Sequence, residues 1–284
     1  MLGRSPALAV PALAFLTVFF VVPLALLVAI GIFPVRGSTI VFDHADLRPY
    51  FRYLTDPFYL WVTARTFGMA AAVTLTCLLC GFPFAYLFTR ARRFWQALLL
   101  SLVVSPILTG TVVRSYGWLV ILGRRGLVND ALLRWGIIHA PLHLLFTMQG
   151  VIIALAQVML PFMILPIVGV LARQSPYLHD AAFGLGASRA QVVRHVVLPL
   201  SLPGIFAGSA LVFVLSFASF TTPALVGGGN FVILPTLIYQ QTQQSLDWGI
   251  LSAISMVLLG TSLLVVWVYS ALARGLGLRW ADRQ

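Results

Sequence analysis

The sequence predicts an all-α membrane protein with six membrane-spanning helices, and three observations predict it. Apolar residues make up 60% of the 284 and charged residues only 9%, with a mean hydropathy of +0.99, far above what a water-soluble domain carries. The apolar residues gather in runs long enough to cross a hydrocarbon core about 30 Å thick, which takes about 20 residues. Between the runs lie clusters of arginine, the residue type that marks membrane topology.

The first run, 7–33, exceeds the apolar core of a secretory signal and shows no small-x-small cleavage site, so it reads as a span rather than a cleaved leader. Further spans follow at about 62–88, 95–122, 147–171, 200–225 and 249–273, making residues 1–284 one transmembrane domain. Pro23, Pro83, Pro106, Pro161, Pro166, Pro203 and Gly208 interrupt these runs. Such breaks persist in a membrane where neighbouring helices or a wet cavity satisfy the freed backbone groups, which favours a bundle. Polar stretches at 34–61, 123–146, 172–199 and 226–248 connect the spans, and within the second, Val128 to Trp135 suits a short amphipathic helix capping the bundle at the outer interface.

An even number of spans puts both termini on one side. With that side cytoplasmic, the inner segments hold ten arginines (Arg4, Arg90, Arg92, Arg93, Arg173, Arg189, Arg194, Arg274, Arg279, Arg283) and the outer segments six (Arg36, Arg48, Arg52, Arg124, Arg125, Arg134). The bias follows the positive-inside rule and supports a multi-pass chain with both termini in the cytoplasm. Asp43, Asp46, Asp56, Asp130 and Asp247 fall outside, Asp180 and Asp282 inside.

Composition excludes whole classes of chemistry. All 18 basic residues are Arg and all 7 acids are Asp, so no phosphate-binding loop lysine and no Schiff-base lysine is available. ATP hydrolysis by this chain alone is excluded. A net charge of +11 answers to anionic lipid rather than nucleic acid, because the arginines flank apolar runs. Cys77 and Cys80, three apart in an apolar run, read as small hydrophobes on one helix face. Among the histidines only His139 and His143 have helical metal spacing, and Pro141 between them spoils that helix.

The loop 173–199 carries the most specific pattern. Pro176 suits a first helical turn and Gly186 a helix end; Ser188 with Gln191 forms a possible capping box, and Val192, Val193, Val196 and Val197 line one face of the helix that follows. Pro199 is then expected to return the chain to the membrane. Two short helices meeting at a glycine make a compact knob able to enter a cleft in another protein, against the plainer reading of an ordinary interhelical turn.

These residues resemble the permease subunits of type I ABC importers. In that family the loop reads Glu-Ala-Ala, three residues, Gly, nine residues, Ile-x-Leu-Pro; here Asp180-Ala181-Ala182, Gly186 and Val196-Val197-Leu198-Pro199 keep the spacing, with Asp for Glu and Val for Ile. Asp keeps the charge with a shorter reach. The likeness is closest to the spermidine/putrescine (polyamine) permease B branch, through Asp56-Pro-Phe-Tyr-Leu60, Gly81-Phe-Pro-Phe-Ala-Tyr86, Arg114-Ser-Tyr-Gly117, Leu160-Pro-Phe-Met163 and Asp247-Trp248, some shared by branches carrying opines, phosphonates or ferric iron.

The resemblance implies a six-helix type I permease whose loop is a coupling helix docked on an ABC ATPase dimer, with a second homologous permease, an external solute-binding protein and a polyamine cargo. ATP and Mg belong to the ATPase, and this chain holds no cofactor and is no enzyme. Asp180, Ala181, Ala182 and Gly186 are the docking candidates, with Leu198 and Pro199 setting the return angle. Candidates for the translocation path are Arg114 and Tyr116 in the third span, Gln149 and Gln157 eight residues apart in the fourth, and Asp247 and Trp248 at the outer mouth. Each has a structural alternative: an ion pair for Arg114, interhelical hydrogen bonds for the glutamines, interfacial anchoring for Trp248. The stretch Val226-Gly-Gly-Gly-Asn230 gives the outer loop freedom to move or is a plain turn. A polycation path without an acid inside any span leaves selection to the external receptor. The rival classes are an ion-coupled secondary transporter, which wants inverted repeats and intramembrane acids, and a membrane-embedded hydrolase, which wants a metal or acid site; neither pattern is found.

Overall fold

The computed structural model describes residues 10–33, 35–36, 39–40, 45–175, 177–229, 231–244 and 247–275. The readings placed on Arg4, Asp43, His44, Pro176, Asn230, Arg279, Asp282 and Arg283 lie outside the described residues, and of Arg36, His179 and Asp180 only the backbone is described.

Helix dominates because a bilayer core offers no water to unpaired backbone groups. In order come α1 (Val10–Leu16), a π turn (Thr17–Val21), α2 (Val22–Ile32), α3 (Arg48–Thr55), α4 (Pro57–Arg90), α5 (Arg93–Leu108), α6 (Thr111–Ile121), α7 (Leu127–Arg134), α8 (Met148–Leu171), α9 (Tyr177–Gly184), α10 (Arg189–Val192), a second π turn (Val193–Val197), α11 (Leu198–Phe217), α12 (Thr221–Val226), α13 (Leu234–Gln244) and α14 (Trp248–Gly275). A short antiparallel pairing joins Val35–Arg36 to Thr39–Ile40. Among the described residues five helices are long and apolar enough to cross a membrane, and α5 with α6, bent by 103°, makes a sixth if counted as one span.

Two of the expected runs differ from the helices found. The run 95–122 is broken at Thr109 and Gly110, both extended. Pro106 lacks the N–H that would bond the Leu102 carbonyl, and the Ser105 hydroxyl donates to that carbonyl instead at 3.1 Å. The run 200–225 is also two helices: a 29-residue helix, Arg189–Phe217, begins well before it, and α12 follows a break at Ala218–Phe220. Hydropathy does not see these breaks, because Thr, Gly and Ala are as tolerable to lipid as the residues around them.

The chain divides into two compact units, residues 1–63 with 237–261 and residues 64–236 with 262–284. In the first, the Ser252 hydroxyl donates to the Leu27 carbonyl at 2.6 Å, Tyr53 hydrogen-bonds Thr63 and stacks on Tyr59 at 5.5 Å. Asp56, just ahead of Pro57, accepts from the Phe58 N–H at 2.9 Å, capping the first turn of α4.

The second unit is built on α8 and α11. A Cβ at Gly204 would stand 2.8 Å from the Pro166 carbonyl and the Ile167 Cα, and one at Gly208 3.0 Å from the Met163 carbonyl. Gly204 and Gly208, four apart, thus let two backbones approach as small-xxx-small pairs do. Gly81 of α4 seats against Met163 from the other side, where a Cβ would come within 3.1 Å of Met163 Cγ. Cys77 is buried and its thiol points to the Ala156 carbonyl at 3.4 Å, whereas Cys80 is exposed. The single-face reading of the two is corrected: an i,i+3 pair lies about 60° apart around a helix, enough to put one in the core and one outside. Some buried hydroxyls are satisfied along their own helix, as where Thr74 donates to Ala70 and Ser201 to Leu198.

Replacing Gly204 by Ala is expected to lower the unfolding midpoint of the detergent-solubilised protein, costing about 1–3 kcal/mol by overpacking. Gly169→Ala on α8, where nothing lies within 4 Å, should be neutral or stabilising by up to about 1 kcal/mol; thermal unfolding of both variants checks the contrast.

Candidate functional site

The loop between α8 and α11 folds as the capping chemistry dictates. Gly186 takes φ +82°, a left-handed conformation that glycine enters without penalty. The Gly186 N–H donates to the Phe183 carbonyl at 2.9 Å and the Ala187 N–H to the Ala182 carbonyl at 3.1 Å, the paired bonds of a glycine-closed helix end. Two residues on, the Gln191 N–H donates to the Ser188 hydroxyl at 3.4 Å and the Ser188 N–H to the Gln191 side-chain oxygen at 2.7 Å. The capping box read from the sequence is present.

The knob has two unlike surfaces. Val192 and Val197 are buried, and Ala182, Ala187 and Val196 pack against the same apolar core. Leu185 is 90% exposed and Tyr177 78%, with Leu178 and Phe183 also exposed. Between α9 and α10 lies an open recess of about 340 Å³ with Leu185, Gly186, Gln191 and His195 on its walls. Ala181 is exposed and Ala182 half-buried. Sequence reasoning picked the small residues and missed Tyr177, Phe183 and Leu185, whose signal was large apolar side chains in a loop with no core of its own to fill.

Leu198 and Pro199 require a correction: the chain makes no turn there. Both are exposed within the continuous helix Arg189–Phe217. The π turn Val193–Val197 just ahead admits the proline, because its wider loop absorbs the carbonyl that a proline ring would strike in a regular α-turn. The knob is therefore joined rigidly to α11, and through Gly204 and Gly208 to α8.

Arg114 sits half-buried on α6, and its guanidinium donates to the Pro106 carbonyl at the end of α5, with its Nε buried and unpartnered. It bridges the 103° break. Gln157 accepts from the Trp118 indole N–H at 3.4 Å, while Gln149 and Tyr116 are exposed. Asp247 accepts from the Ile250 N–H at 3.2 Å, capping α14, and lies 3.8 Å from Arg52, with Trp248 exposed as the first residue of that helix. Arg114, Gln157 and Asp247 are each bonded to framework groups rather than to one another.

Three anchors escaped the sequence reading. Asn129 is buried on α7, donates to the Gly123 and Leu142 carbonyls at 2.9 and 3.1 Å and accepts from the Leu142 N–H at 2.8 Å. Arg65 lies over the Phe231 ring at 4.2 Å, and the neighbouring Thr66 accepts from the Leu234 N–H at 3.0 Å, tying the segment before α13 to α4. Phe146 takes φ +61°, its N–H donates to the Val226 carbonyl at 3.0 Å, and its ring covers Gly228, itself at φ +68°. Among the described residues no three His, Cys, Asp or Glu side chains cluster as a metal site.

Gly186→Ala adds no clash, since nothing lies within 4 Å, but is expected to cost about 1 kcal/mol for the left-handed backbone, read as faster amide exchange in α9. Gly228→Ala should cost about 1–3 kcal/mol, because the new Cβ also meets the Phe146 ring at 2.5 Å. Adding Phe146→Gly to that variant should restore most of the loss in thermal unfolding.

Residues 93–277 match the family described as binding-protein-dependent transport system inner membrane component. The spermidine/putrescine transport system permease protein PotB of Haemophilus influenzae is 34% identical over 256 residues, covering 90% of this chain and 89% of the relative. The Escherichia coli protein of the same name is 35% identical over 222 residues, 77% of this chain and 81% of the relative. Among solved structures, a bacterial ABC transporter involved in the import of the acidic polysaccharide alginate superposes with a TM-score of 0.72 over 94% of each chain at 18% identity, a likeness of fold.

Proposed function

The chain belongs to the family of binding-protein-dependent transport system inner membrane components, as a multi-pass ABC importer permease rather than an enzyme, and from that premise we propose that it moves a polyamine delivered by an external binding protein. The observation that carries the cargo is the 34% identity to a spermidine/putrescine permease across nine-tenths of the chain. The permease works beside a second homologous permease and above an ABC ATPase dimer, which holds the ATP and Mg. Its knob and both termini face the cytoplasm.

Docking uses the surface of α9: Asp180, Ala181 and Ala182 along the helix, Gly186 at its end, and Tyr177, Phe183 and Leu185 as the apolar contacts. Closure of the ATPase pushes the knob, and the unbroken helix through Leu198 and Pro199 carries that displacement into α11 and, across the glycine contact, into α8. Arg114 acts on this reading by holding the α5–α6 break, and Asp247 by capping α14. Tyr116, Gln149 and Trp248, exposed on their helices, are the side chains left to meet solute. A cargo of another class is favoured by one observation: the two charges half-buried in α4 and α6 are Arg65 and Arg114, and cations repel a polycation.

In the assembled importer, Gly186→Asp should leave membrane insertion intact and lower uptake and transport-coupled ATP hydrolysis at least tenfold; uptake at the wild-type rate removes the docking role. Calorimetric titration of the cognate binding protein with spermidine, putrescine and an oxyanion such as molybdate tests the cargo. Saturable polyamine binding is expected, and binding of the anion alone overturns it.

A further inference from the structure

The groove between α11 and α14 in the second unit has no part in docking or in the path. It encloses about 290 Å³, open on one side, between Phe206, Ala207 and Ala210 of α11 and Tyr269, Ser270 and Ala273 of α14. The two helices meet there through the edge of one ring on another, Phe206 against Tyr269 at 6.3 Å, while the alanines on either side leave the space unfilled. Its walls are apolar except for the Tyr269 and Ser270 hydroxyls.

Charge is confined to one end. Neither helix contains an acid, and the only charged residue in either is Arg274, in the last turn of α14. Its Nε donates to the Ser270 carbonyl at 3.3 Å, so the guanidinium folds back beside a residue of the groove wall while the side chain remains exposed. An apolar slot within a membrane-crossing helix pair, with a cation in the last turn of one helix, is complementary to a molecule with a hydrocarbon tail and an anionic head.

We propose that this groove is a site for an anionic phospholipid, with an acyl chain between Phe206, Ala207 and Ala210 and the alanine side of α14, and the phosphate on Arg274. A neighbouring protein helix would fill the apolar slot equally well, but the arginine at its mouth, which has no carboxylate partner among the described residues, matches a phosphate.

The test reconstitutes the permease in nanodiscs of equal phosphatidylglycerol and phosphatidylethanolamine and measures lipid retained after detergent extraction by native mass spectrometry. Wild type should keep phosphatidylglycerol in preference. Ala210→Leu, which fills the slot, should lower total retained lipid severalfold; Ala207→Val serves if that variant does not fold. Arg274→Gln should keep total retention and abolish the preference for the anionic head. Retention and preference unchanged in both kinds of variant overturn the site. So does efficient cross-linking of an Ala207→Cys side chain to a second permease in the assembled importer, which assigns the slot to protein.

Discussion

The close approach of α8 and α11 is the constraint on which the second unit depends. Between two helices in lipid there is no hydrophobic gain to be had, since the tails are as apolar as leucine, so association rests on contact area and on how near two backbones can come. Gly204 and Gly208 remove the atoms that would keep them apart, and the partners they meet are backbone carbonyls and Met163 rather than flexible side-chain ends. α11 is therefore held along its length by a helix that carries more of the unit's buried apolar residues than any other described helix, among them Leu155, Met163 and Ile167.

From that contact the route to the surface is short. The same helix continues without a break to Arg189, where the capping box closes its first turn, and the glycine-closed end of α9 abuts it. The underside of the knob is tied to the core by Val192 and Val197 and its upper side leaves large apolar residues exposed. A surface so divided can receive a push without being peeled away from the helix beneath it.

Much of this was legible in the chain. Four of the six apolar runs, the Gly186 helix end, the Ser188–Gln191 box and the valine face are local patterns fixed by the residues that carry them, and each is found in the structure. What was not legible is non-local. Nothing in the order of residues says that the Pro106 carbonyl at the end of α5 will be met by a guanidinium eight residues on, that Asn129 will tie two loop segments together, or that Leu198-Pro199 will sit within a continuous helix. Nor does it say that Arg114, Gln157 and Asp247 will each bond to a framework group.

The π turn at Val193–Val197 has a further consequence. A regular α-helix advances about 100° per residue, so one surplus residue wound into the stem rotates the knob about the axis of α11 by roughly that much relative to an unbroken spiral. The loop and the span can then each keep its own face, one exposed and one toward α8. Shortening the stem by a single residue would leave the Ser188–Gln191 box and the Gly186 helix end intact and aim the knob at the wrong quarter of the horizon.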